Sequence, residues 1–285
     1  MARRLIAVLA LSVACAFAPL GEIEAANRIV SLYAGHSENI LALGFGKNLV
    51  AVSEGDDEAL FPGIVRLPRR ADAERILSLA PDLVLLRPVA DGLSEGTVAT
   101  LERSGVSVVL LPAPTWDTME TYLRKLGELL GAMEAERSWR DSVKELASPV
   151  PSGNRRPAVF LESSSKGLKT CSPTSWAAHM IELAGGRNAA ADARPLRADS
   201  PLASWGEERL LALAAEGLDV YLVQVGAMNP VNEEEVRSRP WVSALGNARI
   251  AVIGEEEISR PSLLRLRSGV ARLRSLFFPK EGDRR

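Results

Sequence analysis

Residues 74–86 read "ERILSLAPDLVLL", and residues 208–223 read "ERLLALAAEGLDVYLV". Both copies open on Glu-Arg, continue with Ile/Leu-Leu, a small residue and Leu-Ala, and place an Asp ahead of an apolar run of strand length. A helix feeding a strand that is apolar throughout is the unit of a parallel sheet covered on both faces. Written twice, from Glu74 and again from Glu208, it predicts two like α/β lobes.

The flanking segments repeat the same order. In the first half, "RIVSLY" (28–33) is a strand, Ser37 caps "SENILALG" (37–44), and Gly44 stops that helix. "LVAVS" (49–53) and "VSVVLLP" (106–112) add strands. In the second half, "PAVFLE" (157–162) is a strand and Ser172-Pro173 opens the helix in "TSWAAHMIELAGG" (174–186), which Gly185-Gly186 ends. "RIAVIG" (249–254) and a helix over "SLLRLRSGVARLRSLF" (262–277) complete it. The expected fold class is α/β: two Rossmann-like lobes with parallel sheets, residues 27–113 and 157–285, joined by a single long helical linker within 114–156. In that linker Asp117-Thr118-Met119-Glu120 has the capping-box pattern for one helix. A second helix, from Met133 to Ala147, would be roughly 22 Å long and closed by Pro149, Pro151 and Pro157.

Composition excludes several classes. Of 285 residues, 47% are hydrophobic and 25% charged, which is globular, and a net charge of −2 provides no basic field for nucleic acid or an anionic membrane. Arg3-Arg4, the apolar run Leu5–Phe17 and the small residues Ala25-Ala26 have the order of a secretory signal over residues 1–26, so an exported, periplasmic protein is expected. Ser12-Val13-Ala14-Cys15 is an imperfect lipoprotein box, and lipid attachment at Cys15 is the less favoured alternative. Cleavage leaves Cys171 as the single cysteine, read as a packed thiol with no disulfide.

Three segments, "RIVSLYAGHSENILALG", "AERILSLAPDLVLL" and "ERLLALA", in this order and spacing, resemble the helical-backbone class of periplasmic binding proteins. That class serves ABC importers of iron siderophores, haem, cobalamin and some metal ions. The resemblance implies a metal chelate of iron or cobalt as ligand and no intrinsic cofactor. It further implies a monomer that delivers its cargo to an ABC permease dimer with a cytoplasmic ATPase. It also assigns Glu74 and Glu208 to permease docking, one on each lobe, with Glu207 as the neighbouring alternative to Glu208. A single helical strut implies a closure of only a few degrees on binding.

In such folds ligands meet the loops at the carboxyl ends of strands. Those loops nominate Tyr33, His36, Arg87 and Trp116 from the first half, with the acidic stretch Glu54, Asp56, Asp57. From the second half they nominate Lys166, Lys169, Thr170, Trp205, Gln224, Met228 and Arg260. Several cations facing one cleft would suit an anionic chelate. His36 is the candidate metal ligand, with a surface or capping role as its alternative, whereas His179 falls on a buried helix face beside Trp176 and Leu183. Trp139 and Trp241 are packing residues. No Gly-x-Ser-x-Gly, phosphate loop, Cys-x-x-Cys or His-Glu-x-x-His occurs, so no enzyme is expected. The alternatives are a chelatase-like metal-tetrapyrrole enzyme, which would use a cleft histidine, and a ligand sensor.

Overall fold

The structure, a computed structural model, describes residues 25–89, 92–147 and 155–279. Residues 1–24 of the expected signal segment, Cys15 among them, together with Pro149 and Pro151, lie outside the described residues.

The first half runs β1 (Ile29–Ser31), α1 (Ala34–Ala42), β2 (Leu49–Ser53), β3 (Val65–Leu67), α2 (Ala73–Leu77), β4 (Leu83–Leu86), α3 (Glu95–Arg103) and β5 (Ser107–Leu110). Its five strands form one parallel sheet in the order β3-β2-β1-β4-β5. Two helices follow, α4 (Met119–Leu130) and α5 (Arg137–Leu146). The second half contains β6 (Ala158–Ser164), β7 (Lys169–Cys171), α6 (Trp176–Leu183), β8 (Arg187–Asn188), β9 (Arg194–Pro195) and β10 (Leu202–Ser204). It continues with α7 (Glu207–Glu216), β11 (Val220–Val225), α8 (Glu233–Arg237), β12 (Arg249–Gly254), α9 (Glu255–Ser259) and α10 (Leu263–Phe277). The two-lobe α/β fold is therefore present. Its second sheet is parallel through β6, β11 and β12 and gains antiparallel strands at β7, β10 and β9.

The repeated unit explains how both sheets are anchored. Each Asp ahead of the apolar strand accepts backbone N–H bonds at the start of the neighbouring strand. Asp82 takes those of Asn27 (2.8 Å) and Arg28 (3.1 Å), and Asp219 takes that of Ala158 (2.7 Å). The backbone N–H groups of Asp82 and Asp219 donate to Arg28 and Ala158 in turn, so each Asp locks its strand to the neighbour in register. On the helix side, Ile76 and Leu210, both fully buried, stand two residues after Glu74 and Glu208 and drive the two helices onto their sheets. Burying such a side chain contributes about 1.5–3 kcal/mol.

Strand alternation sends one face of each sheet to a private core and the other to a shared one. Val30, Val84 and Ile76 pack within the first lobe, and Phe160, Tyr221 and Leu210 within the second. Ile29, Leu85 and Ile40 join Leu161, Leu222, Trp176 and Leu266 in a single cluster that runs through both halves and takes in α4 and α10.

Local boundaries differ from the sequence reading in four places. Helix α1 begins at Ala34, so Ser37 is interior and hydrogen-bonds Ser31 (2.8 Å) instead of capping. The cap of α6 is Ser175, which accepts from the Ala178 N–H (3.2 Å), and not Ser172. Thr118, paired with Thr115, precedes α4 in place of the expected Asp117 box. Helix α5 starts at Arg137 because Glu134 turns the chain with φ 59, which shortens the second linker helix to 10 residues, about 15 Å.

Candidate functional site

A cleft of about 1010 Å³ opens at the carboxyl ends of both sheets. Tyr33 follows β1, Glu54 follows β2, Arg87 follows β4, and Leu110 ends β5. Across the opening stand Met228 after β11 and, after α9, Arg260. A fifth side is α3, with Ser94 as its N-cap, which brings Val98 into the lining. The sequence reading did not place α3, although Val98 and Leu101 stand three apart on a capped segment.

The first lobe's contribution is an aromatic and cationic stack. The Arg87 guanidinium sits over the Tyr33 ring, 4.7 Å from its centroid, and Tyr33 meets the His36 ring edge-on at 4.9 Å. Burial lifts the Tyr33 phenol above its ordinary pKa, with Arg87 and Arg260 pulling against that shift.

His36 does not reach the cleft. It is fully buried, with Nε2 3.0 Å from the Leu111 carbonyl and Nδ1 2.7 Å from the Tyr122 hydroxyl. A carbonyl can only accept, so Nε2–H donates to it and Nδ1 accepts from the Tyr122 O–H. Both nitrogens are used, and desolvation pushes the imidazole pKa down to about 4. The expectation of a metal ligand at His36 is therefore corrected: the ring is a neutral strut between α1, α4 and the end of β5. Among the described residues no group of three or more His, Cys, Asp or Glu is placed to hold a metal ion.

The lobes are joined behind the cleft by a buried polar seam. The Glu38 carboxylate, fully buried on α1, accepts from Arg260 (2.7 Å), Ser262 (2.7 Å) and Arg265 Nε (2.9 Å). Arg265 also reaches Asp57 (3.0 Å), which holds that carboxyl below its ordinary pKa, and Asn39 accepts the Leu263 N–H (2.9 Å). Glu38 and Arg265 were absent from the sequence-based set because nothing local marks a carboxylate whose partners come more than two hundred residues later.

Other expected site residues are placed elsewhere. Asp56 turns inward onto the Ser53 N–H and hydroxyl (2.9 and 2.6 Å), leaving Glu54 to line the cleft. Gln224 is buried and accepts from Ser259 (2.6 Å). Trp205 packs on Phe160 under the Arg209 guanidinium, which lies 3.5 Å from its ring centroid, and Thr170 is buried in β7. Lys166 and Lys169 pair with one another at the β6–β7 turn, Lys169 Nζ donating to the Lys166 carbonyl (2.6 Å), away from the cleft lining. Trp116 stacks on His179 at 4.6 Å and contacts Trp139 and Trp176, so it belongs to an aromatic packing cluster, and His179 is half-buried within it. Of the expected ligand contacts, the cleft brings together Tyr33, Arg87, Met228 and Arg260.

The loop carrying Met228 is fixed from beneath. Asn229 is buried and spans Glu162 (2.9 Å) and the Gln224 carbonyl (2.9 Å), while the Met228 N–H donates to Glu255 (2.9 Å). Glu162, also fully buried, accepts from Tyr221 and Arg239. The Met228 side chain is thus exposed at the cleft while its backbone is held.

This geometry agrees with a family model for periplasmic binding proteins, which matches residues 29–256. The chain belongs to the periplasmic binding protein family. Within that family of solute-binding proteins it is 30% identical over 176 residues to the vitamin B12-binding protein of Vibrio cholerae serotype O1, a match covering 59% of this chain and 62% of that protein. It is 26% identical over 180 residues to an uncharacterized ABC transporter substrate-binding lipoprotein, YvrC, of Bacillus subtilis (strain 168), covering 58% of this chain and 56% of that one. These matches span less than two thirds of the relatives' length. Among solved structures, a possible iron-binding (periplasmic solute-binding) protein of Staphylococcus epidermidis superposes with a TM-score of 0.71 at 22% identity, over 90% of this chain and 100% of that one. No described helix is long and apolar enough to cross a membrane.

Proposed function

We propose that this periplasmic binding protein is an exported, non-enzymatic receptor that captures a metal chelate, an iron siderophore, haem or cobalamin, and delivers it to an ABC permease. The observation that carries the reading is the cleft at the carboxyl ends of both sheets, with Tyr33 and Arg87 facing Met228 and Arg260. The vitamin B12-binding relative supports the cargo class, and the ABC transporter relative supports the partner. The partner is a permease dimer served by a cytoplasmic ATPase, and the receptor acts as a periplasmic monomer. Glu74 and Glu208 support two-point docking: both are exposed, and each is the second residue of its helix, after Asp72-Ala73 in α2 and Gly206-Glu207 in α7. That equivalence favours Glu208 over Glu207. The seam around Glu38 supports a small closure on binding.

The test is titration of purified protein with cyanocobalamin, haem and ferric chelates, followed by absorption and tryptophan fluorescence. Saturable binding of one class, weakened at least about tenfold by Tyr33→Ala or Arg87→Ala, is expected. Failure of every chelate to bind, or turnover of metal insertion into a porphyrin, would refute the receptor reading.

A further inference from the structure

The charges lining the cleft discriminate among chelates. Glu54, Glu95, Glu102, Glu255 and Glu256 line it, against Arg69, Arg87 and Arg260. Arg260 already donates to the buried Glu38 at 2.7 Å, and Arg87 already lies over Tyr33. The lysines that would have evened the count, Lys166 and Lys169, lie outside the lining. The acidic groups come from both sides of the opening, Glu95 and Glu102 on α3 and Glu255 and Glu256 at the start of α9. Between them Val98, Leu110 and Met228 present apolar surface, with Leu110 and Met228 exposed at 56% and 38%.

We propose that the cleft selects a chelate that is neutral or cationic and flat or apolar enough to cover Leu110 and Met228, and that it rejects polyanionic chelates. This rests on the receptor reading above and narrows its cargo. The physical reason is one of cost. A ligand carboxylate or catecholate facing α3 or α9 meets like charge, and drawing Arg260 onto the ligand would strip a buried carboxylate of a partner. A ligand carrying amide or ammonium groups meets carboxylates that accept its N–H groups.

The experiment compares dissociation constants at low ionic strength for four probes: cyanocobalamin (neutral), ferrioxamine B (cationic), haem and an iron(III) tris-catecholate (both anionic). The wild-type chain and Glu95→Gln/Glu102→Gln are measured side by side; both positions are exposed, so the variant keeps the fold. The expected result is binding of a neutral or cationic probe at least about tenfold tighter than either anion, with the gap narrowing in the variant and at high salt. An anionic probe binding as tightly as the others, or a gap unmoved by the variant and by salt, overturns the charge selection while leaving the receptor reading intact. If none of the four binds, the receptor reading fails with it.

Discussion

Glu38 and Arg260 meet at 2.7 Å across 222 residues of chain, one fully buried on the first helix of the amino-terminal lobe, the other at the lip of the cleft. Arg265 and Ser262 complete the carboxylate's shell, so the seam is a buried, fully partnered charge and not a surface ion pair. Glu38→Gln leaves Arg265 without its main counter-charge and is expected to cost about 3 kcal/mol. Arg260→Ala leaves Ser262 and Arg265 on Glu38 and should cost less than half of that. Urea midpoints of the two variants check the order; equal losses would refute it.

His36 makes stability depend on pH. Its folded pKa, about 4, lies below the ordinary 6.5, so below pH 6.5 the unfolded chain takes up a proton that the folded ring refuses. Stability from this group is therefore complete above about pH 6.5 and falls as pH drops toward 4, by about 3 kcal/mol in all. His36→Asn should flatten the stability profile between pH 6.5 and 4 by one proton relative to wild type. Identical slopes in the two proteins would show that the ring titrates normally.

Asp82 and Asp219 hold equivalent strand starts, so their alanine variants should behave alike. Each removes the acceptor of backbone N–H bonds at a strand start, partly buried at Ala158 and exposed at Asn27 and Arg28, and should cost about 1 kcal/mol. Asp219→Ala also releases Arg155, an exposed partner that adds little. A calorimetric or urea comparison in which one variant is neutral and the other severe would show that the two copies are not structurally equivalent.

The docking proposal turns on one register. Glu74→Ala combined with Glu208→Ala should abolish uptake in cells while leaving chelate affinity unchanged, and Glu207→Ala should leave uptake near wild type. Uptake lost with Glu207→Ala but kept with Glu208→Ala would transfer the contact to the neighbour. Loss of affinity in the double variant would place the pair in binding or folding.

The lobes, the repeated helix–strand unit and the carboxyl-end location of the cleft were legible because apolar period and turn residues are local signals. Tyr33, Arg87 and Met228 were legible for the same reason, lying one to three residues past strands whose ends the sequence marks, and Arg260 because it follows the strand β12 by a short helix. The rest required distance information. His36 sits one turn from Tyr33 yet is claimed by Tyr122 and Leu111, 86 and 75 positions away. Lys166 and Lys169 follow a strand as a ligand loop would, but β7 folds straight back on β6 and carries them off. Ser37 looked like a cap because Ser followed by Glu usually is one, and a helix starting three residues earlier moved the whole polar run into the seam.

The order in which the seam's parts are made has its own consequence. A chain synthesised from its amino terminus exposes Glu38 early, whereas Arg260 and Arg265 lie 222 and 227 positions downstream. Until α10 emerges, the first lobe carries a carboxylate destined for burial with no counter-charge in reach, and the face that will join the shared cluster stays wet. The face of the first lobe that meets α10 thus reaches its final packing only with the last helix, and a chain cut before Arg260 would keep both sheets' sequences but lose the seam and the part that α10 takes in the shared core.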